Sequence, residues 1–432
     1  MASSPSTTLT RNSTCFSWNS GRPSILWTLL SLLFICPQFC AQTADPDLRK
    51  ALARAAFVTD QIAALEQGQP VVKVMPSNDR REVAVCGVME LPTDPKTALK
   101  AFELSFAQLK QKSIVQFGKF SNPARVEDLE SLTLSDGDIA DLKTCTVGDC
   151  KLKLSAPMIQ RFQKSIDWNA IDYKEQVNQL FRLMIVEYVT AYLQRGDAAL
   201  IEYADQNTRV PLAGEQESLL ANLLYVNDAA PEFIRHLKAF PRSPVPVERS
   251  LSWAKIDFGL KPIVVINDTS IYKSEVDGVP RVLVLSKQIY AHHYVDASLS
   301  LTAVIGNRAR ARSTLLYVNH SRASVLASSF SRFKHEIVEG RATADLNRLL
   351  QQTRLNIDGL VNGASPSFEP TFTQRVNEWP ALRFISWLVF LIMIGIALHF
   401  IFRRKIPRSR RPASSKDSEK PDFSHLLSST DE

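Results

Sequence analysis

The sequence predicts an α+β fold, in which an antiparallel sheet carries a helical insertion and a closing C-terminal helix, followed by one transmembrane helix. Apolar residues recur at helical spacing over residues 157–240 and alternate at strand spacing within residues 251–318. An almost unbroken apolar run covers residues 384–402. Glycine is scarce, with 15 in 432 residues, which disfavours glycine-rich phosphate loops and repeat-built β-architectures.

The apolar run at the C-terminal end begins at Phe384 and ends at Phe402. As a helix this run spans roughly 28 Å, close to a hydrocarbon core of about 30 Å. Basic residues between Arg403 and Arg411 follow directly, and positive flanks stay cytoplasmic. We therefore predict a single-pass anchor in the cell membrane, with its C-terminus in the cytoplasm and the basic residues against anionic lipid headgroups.

The N-terminal residues 1–43 are predicted to form a signal peptide. An apolar run at residues 25–35 follows Arg11 and Arg22, and it is too short to span a membrane. Cleavage near the small residues that follow this run would release an exported domain. Lipid attachment at Cys40 is the alternative, which the preceding Pro-Gln-Phe fits poorly.

Charge is concentrated near the two ends of the chain. The tail, residues 403–432, carries eight basic and five acidic residues, and Arg11 and Arg22 add two positive charges. Removing these contributions from the total of +7 leaves +2 for the rest of the chain. We therefore expect no nucleic-acid partner, and the tail beyond the basic cluster is predicted to be largely disordered.

The exported domain, residues 44–380, shows a clear order of predicted elements. Helices are predicted at residues 47–67, 96–112, 172–194, 215–226 and 231–240, strands at 71–75, 82–90, 251–258, 262–272, 282–290, 294–305 and 313–318, and a closing helix at 330–355. Asp277-Gly278 predicts a tight hairpin between two of the strands. Helices therefore precede the main run of strands, and one helix follows it.

An acidic stretch holds Asp136, Asp138 and Asp141. A calcium loop needs oxygen ligands at alternating positions and a closing bidentate Glu, which this stretch lacks. We favour helix capping instead, with Ser135 or Asp136 starting a short helix.

The order of elements resembles that of START-like and polyketide-cyclase-like helix-grip proteins. The segment Val-Cys-Gly-Val-Met-Glu-Leu-Pro-Thr-Asp-Pro at residues 85–95 is similar to the opening strand and turn of that superfamily, and residues 330–355 resemble its closing helix. The segment at residues 142–154 also resembles uncharacterised exported, membrane-anchored bacterial proteins. The first resemblance implies a cavity for an apolar ligand, whereas an insertion of roughly 160 residues departs from the compact family pattern.

Cys145 and Cys150 are separated by four residues, which include a glycine turn, in Cys-Thr-Val-Gly-Asp-Cys. In an exported protein this spacing favours a disulfide. A redox pair, a metal site and reduced thiols are the alternatives, although a two-residue redox spacing and further nearby ligands are lacking. Cys86, in an apolar strand, is predicted to be a buried thiol.

An alternating pattern from Ser286 to Ala303 predicts one polar, aromatic strand face. His292 would share this face with Tyr290, Tyr294 and Asp296. The four residues are candidate catalytic or ligand-binding groups, since histidine titrates near neutral pH. A solvated or helix-covered sheet face without a function is the alternative.

No metal site or cofactor is predicted. His292 and His293 are adjacent, so on one strand they would point to opposite faces and could not hold one ion without a bulge. His335-Glu336 lacks the second histidine of a zinc-protease helix, because position 339 is Glu. Phosphate-binding loops and serine-nucleophile elbows are also missing from the sequence.

These patterns favour an exported, membrane-anchored binding or scaffolding domain, periplasmic or otherwise extracytoplasmic, for an apolar ligand or lipid. The alternative is an envelope hydrolase that uses His292 with Asp296 or a neighbouring tyrosine. A third class is an adaptor that acts through its cytoplasmic tail.

Overall fold

The computed structural model describes residues 52–53, 57–110, 113–243, 245–257, 261–307, 311–328 and 330–361. It confirms the predicted α+β class, the antiparallel sheet and the closing helix. The predicted signal peptide, membrane helix and cytoplasmic tail lie outside these residues. Within the described ranges, every helix is too short or too polar to cross a bilayer.

The centre of the fold is an antiparallel sheet of eight strands in the order β1-β2-β10-β9-β8-β7-β6-β3. The strands of this sheet are β1 (Val71–Met75), β2 (Glu82–Leu91), β3 (Ile114–Lys119), β6 (Glu248–Ile256), β7 (Ile263–Val276), β8 (Val279–Ala291), β9 (Ala297–Asn307) and β10 (Arg312–Arg322), and a separate pair is formed by β4 (Glu202–Tyr203) and β5 (Val210–Pro211). The early strands therefore supply both edges, while the late strands fill the middle.

The predicted hairpin at Asp277-Gly278 joins β7 to β8. Asp277 and Gly278 have φ values of 52° and 72°, and Val276 pairs with Val279. Two consecutive positive φ values are typical of the type I′ turn, whose twist matches that of the flanking strands. The hairpin prediction is confirmed.

Two helices cover one face of the sheet. Helix α2 (Pro95–Lys110) and the closing helix α9 (Ser331–Val361) pack on each other, and on the sheet α9 contacts β2 while α2 contacts β8, β9 and β10. A methyl group added at Gly87 of β2 would lie 2.9 Å from Leu346 Cδ2, so glycine allows this close approach of α9 to the sheet. Phe102 and Leu350 belong to the apolar core of this face.

The helical insertion covers the opposite face. Its helices are α3 (Asp136–Lys143), α4 (Ala156–Ser165), α5 (Tyr173–Arg195), α6 (Leu212–Ala221), α7 (Leu224–Ala229) and α8 (Pro231–Ala239). A further helix, α1 (Thr59–Glu66), contacts β1 and β2. Phe181 of α5 and Phe233 of α8 lie in one core with Leu285 and Leu301 of the sheet. The sheet is therefore buried on both faces.

Several predicted boundaries were wrong. The helix predicted at 215–226 is two helices, α6 and α7, and the strand predicted from residue 294 begins at Ala297. Strand β3 lies in a region where the sequence pattern was mixed, and it pairs with β6 at the far edge of the sheet. The closing helix extends beyond residue 355 to Val361.

Candidate functional site

The two adjacent histidines do not lie on a strand. Strand β8 ends at Ala291 and β9 begins at Ala297, so residues 292–296 form a loop, in which Tyr294 has a φ of 59°. The prediction that His292 and His293 face opposite sides was therefore wrong. Freed from the strand alternation, both rings turn to one side, with centroids 4.2 Å apart.

Both histidines meet Asp138, which the sequence had suggested only as part of a helix start. The Nε2 atoms of His293 and His292 lie 2.8 and 3.5 Å from the two carboxylate oxygens, and all three side chains are at most 3% exposed. Ser135 caps α3 as predicted, and its hydroxyl lies 2.6 Å from Asp138 Oδ2. Burial raises the pKa of Asp138, but the two histidines outweigh this effect and hold that pKa well below its usual range.

The hydrogen bonds of His292 define its tautomer. The backbone N–H of Val264 donates to His292 Nδ1 at 2.8 Å, so this nitrogen carries no hydrogen. Burial, and next the charge of His293, lower the pKa of His292 to about 4 despite the opposing effect of Asp138. His292 is therefore neutral at pH 7, with its hydrogen on Nε2.

The ligand atoms of Asp138, His292 and His293 lie within 4.8 Å of one another, a spacing that could hold a metal ion. The donor chemistry does not fit, because a metal needs an unprotonated nitrogen and Nε2 of His292 carries a hydrogen. Lys261 adds a cationic Nζ 3.6 Å from Asp138 Oδ1. We therefore assign the cluster a structural role, in which it ties α3 to the loop between β8 and β9.

Asp296, the predicted partner of His292, bonds elsewhere. It is fully buried and accepts hydrogen bonds from Lys153 Nζ at 2.7 Å and Ser324 Oγ at 2.6 Å. Burial lowers the pKa of Lys153, but the charges of Asp296 and Asp205 outweigh this effect and raise that pKa. His292 and Asp296 thus belong to different hydrogen-bond networks.

The predicted tyrosines are separated as well. Tyr290 is buried against Phe181, Tyr188 and Tyr203, and burial raises the pKa of its phenol well above the usual value. Tyr294 lies beside His293, and burial raises its pKa to about 12. Neither phenol is poised for proton transfer near neutral pH.

Cys145 and Cys150 form a disulfide, with Cα atoms 4.5 Å apart. It closes the turn after α3, next to the histidine cluster. The backbone carbonyl oxygen of Lys151 lies 3.1 Å from Nδ1 of His293 there. Cys86 is a buried free thiol, and burial raises its pKa to about 12. A reactive thiolate at Cys86 is therefore excluded near neutral pH.

The most distinctive polar feature lies on the face of the sheet that α2 and α9 cover. We call it the polar patch, and it consists of Ser252, Asn267, Gln288, Thr302 and Asn319 on strands β6 to β10. Strand alternation places these residues on the same side as the apolar residues Ala254, Val265, Val284, Val304 and Tyr317, which form one core with α2 and α9. Strand pairing places Asn267 of β7 directly opposite Ser252 of β6 and Gln288 of β8. The patch is therefore continuous across these three strands.

Every residue of the polar patch is at most 4% exposed, yet each has a side-chain atom without a hydrogen-bond partner. The unpaired atoms are Ser252 Oγ, Asn267 Nδ2, Gln288 Oε1 and Nε2, Thr302 Oγ1 and Asn319 Nδ2. A buried polar group that loses its hydrogen bond costs about 1–3 kcal/mol, and native proteins rarely leave several together. The patch is therefore a set of unused donors and acceptors that a bound molecule could satisfy.

The chemistry of the polar patch is uncharged throughout. Its hydroxyl and amide groups sit among aliphatic and aromatic side chains, including Val265, Val284 and Phe102. Mostly apolar walls with a few polar groups are typical of small-molecule sites. The alternation from Ser286 to Ala303 had marked this face as polar, but it did not single out Gln288 or Thr302.

A separate cavity of about 380 Å³ lies on the opposite face, between the sheet and the helical insertion. Leu285 and Leu299 form part of its wall, while Lys287 is paired with Asp197 at 2.5 Å. The oxygen Oε1 of Gln216 is buried there without a partner. This cavity offers fewer unused polar groups than the polar patch does.

No family model matches this chain, and no curated protein is similar to it in sequence.

Proposed function

We propose that this protein is a non-enzymatic binding domain for a neutral, largely apolar molecule that carries a few hydrogen-bonding groups, and that the polar patch binds it. The observation that carries the proposal is the group of buried, unpaired side-chain atoms on neighbouring strands. Hydrogen bonds from a ligand would remove their desolvation cost, and the apolar surroundings would bind its hydrocarbon part.

The order of elements supports a helix-grip arrangement for this proposal. Strand β2 leads into α2, the insertion follows, and the late strands and α9 complete one layered unit. In this arrangement a ligand lies between the sheet and the closing helix, which is the side of the polar patch.

The proposal places the domain outside the cytoplasm, tethered by the apolar run at residues 384–402. The basic residues from Arg403 onward would lie against anionic headgroups on the cytoplasmic side. A ligand of low water solubility could then be taken from, or returned to, the adjacent bilayer.

The hydrolase alternative gains no support from the described residues. His292 is 1% exposed and uses Nδ1 to accept a backbone hydrogen bond, so its ring has no free basic nitrogen for substrate. Asp296 is held by Lys153 and Ser324. Binding is therefore the function that the geometry favours.

The test is to purify the exported domain, extract it with organic solvent and identify the bound molecules by mass spectrometry. We expect a neutral apolar molecule with oxygen or nitrogen groups in the parent protein. Gln288→Met and Thr302→Val should reduce its amount at least about fivefold, since each removes hydrogen-bonding atoms while roughly keeping the volume.

A matched control is Thr353→Val in α9. Thr353 is equally buried, but its hydroxyl already donates to Leu349 O at 2.8 Å. This variant should retain the ligand. The proposal is wrong if the parent carries no apolar molecule, or if all three variants retain the same amount.

A further inference from the structure

A second cavity, of about 900 Å³, lies on the insertion side of the sheet at the start of β2 and the end of β10. Its lining includes Asn78, Asp79, Arg81, Ser218 and His320. It is separate from the polar patch, because strand alternation puts His320 on the same side as Leu316 and Val318, in the core that faces the insertion.

The charged groups around this cavity neutralise one another. Arg322 Nε lies 2.8 Å from Glu82 Oε2, and its NH1 lies 2.8 Å from Glu215 Oε2. Arg81 joins Glu215 at 2.8 Å and Asp79 at 2.6 Å. With Arg80, which also lines the cavity, three guanidiniums balance the three carboxylates, so the network offers little net charge to attract an ionic ligand.

His320 contributes an unused acceptor. Its Nδ1 lies 2.8 Å from Glu82 Oε1, while its Nε2 is buried and has no partner. Burial raises the pKa of Glu82, but bonds from His320 and Arg322 outweigh it and lower that pKa, so the carboxylate is ionised and accepts a hydrogen from Nδ1. A ring with its one hydrogen on Nδ1 presents a lone pair at Nε2, which calls for a hydroxyl or N–H donor.

Apart from Arg80, whose guanidinium donates to Ser331 Oγ at 3.1 Å, the other groups that a ligand would meet are neutral. Asn78 and Asn222 supply amides, and Ser77 and Ser218 supply hydroxyls. Ser218 Oγ accepts from Arg322 at 2.9 Å, so its own hydrogen remains to be donated. Amides, hydroxyls and an imidazole acceptor together match a molecule that bears many hydroxyl groups.

We propose that this cavity is a second binding site, specific for a neutral saccharide, with one sugar hydroxyl donating to His320 Nε2. The volume lies within the range of small-molecule sites, about 300–1,000 Å³. This proposal is independent of the ligand at the polar patch, which lies on the other face of the sheet.

The test uses the full-length chain in lipid nanodiscs and isothermal titration calorimetry. Cellobiose, maltose and N,N′-diacetylchitobiose are the neutral probes, and glucose, glucosamine and glucuronic acid compare uncharged, cationic and anionic sugars. We expect at least one neutral disaccharide to bind, and glucose to bind more tightly than either charged monosaccharide. The neutral probes are tested up to about 50 mM, so that weak binding is also detected. If none of them binds, the proposal is overturned.

Asn222→Trp should weaken binding of the neutral probe that binds the parent at least about tenfold, since the indole would occupy part of the cavity. Asn222 and Asn169 are both exposed, but Asn169 does not line this cavity, so Asn169→Trp is the matched control and should bind normally. His320→Phe should abolish binding, and His320→Gln, which keeps an acceptor, should restore part of it. Equal binding by the parent and Asn222→Trp would refute the assignment.

Discussion

The pH dependence of stability provides a sharp test of the buried histidine cluster, and the informative change is His292→Asn. Asparagine keeps an acceptor for the Val264 N–H but removes the titrating ring. In the folded chain, burial and His293 lower the pKa of His292 to about 4, against 6.5 for an ordinary histidine. Above pH 6.5 both the folded and the unfolded chains hold a neutral His292, so its contribution to stability is complete.

Below pH 6.5 the unfolded chain binds a proton that the folded chain does not, and the folded state loses stability until the pH reaches about 4. Integrating this difference from pH 7 to pH 4.5 gives a loss of about 2 kcal/mol from His292 alone. The His292→Asn variant should therefore lose about 2 kcal/mol less than the parent over this interval.

The assay is urea denaturation of the domain at residues 44–380, at pH 7 and pH 4.5, monitored by tryptophan fluorescence. Other groups titrate in both proteins between pH 7 and pH 4.5. Only the difference between the losses of unfolding free energy in the variant and in the parent therefore measures His292. His335→Asn is the control, since His335 is partly exposed on α9. Its unfolding free energy should fall between pH 7 and pH 4.5 by the same amount as that of the parent. If His292→Asn and the parent lose the same stability, the ring is not held neutral by burial and the reasoning fails.

Two further predictions concern packing and a buried ion pair. Gly87→Ala should destabilise the fold by about 1–3 kcal/mol because its new methyl would overlap Leu346, whereas Gly340→Ala, with open space around it, should stabilise α9 by about 0.5–1 kcal/mol. Thermal unfolding of the two glycine variants measures these changes, and equal changes in stability would contradict the prediction. Arg249→Met should destabilise the fold by about 3–5 kcal/mol, because the buried carboxylate of Asp268 loses its cationic partner. Lys273→Met, which breaks an exposed ion pair, should change stability by less than about 0.5 kcal/mol. Urea titrations measure both effects.

The fold was largely predictable because its elements carry strong local signals. Strand alternation, the Asp277-Gly278 turn and the proline at the start of α2 each act within a few residues. Strand β3 was missed because its six residues are only partly buried and lack a clean alternation. The start of β9 was misplaced for another reason, since Tyr294 adopts a positive φ although neither glycine nor asparagine marks the position.

The sites were predictable only in part, because their partners are distant in the chain. The polar alternation from Ser286 marked the face that holds Gln288. Whether the Gln288 amide finds a hydrogen-bond partner depends on Asn267, which lies opposite it on another strand. Glu82 and His320 carry a signal that could have been used. Each is a polar residue on the apolar side of its strand, and such a residue needs a buried partner.

The place of β2 in the sheet has a consequence for how the chain folds. Val83 pairs with Ser321, so the N-terminal strand must wait for a partner 238 residues later in the chain. Contacts of such long separation slow folding, because the intervening loop must close first. During synthesis the first strands emerge long before β10, so the sheet is completed only after residues 312–322 have been made. We therefore expect chains that end before β10 to be degraded rather than to accumulate as folded fragments.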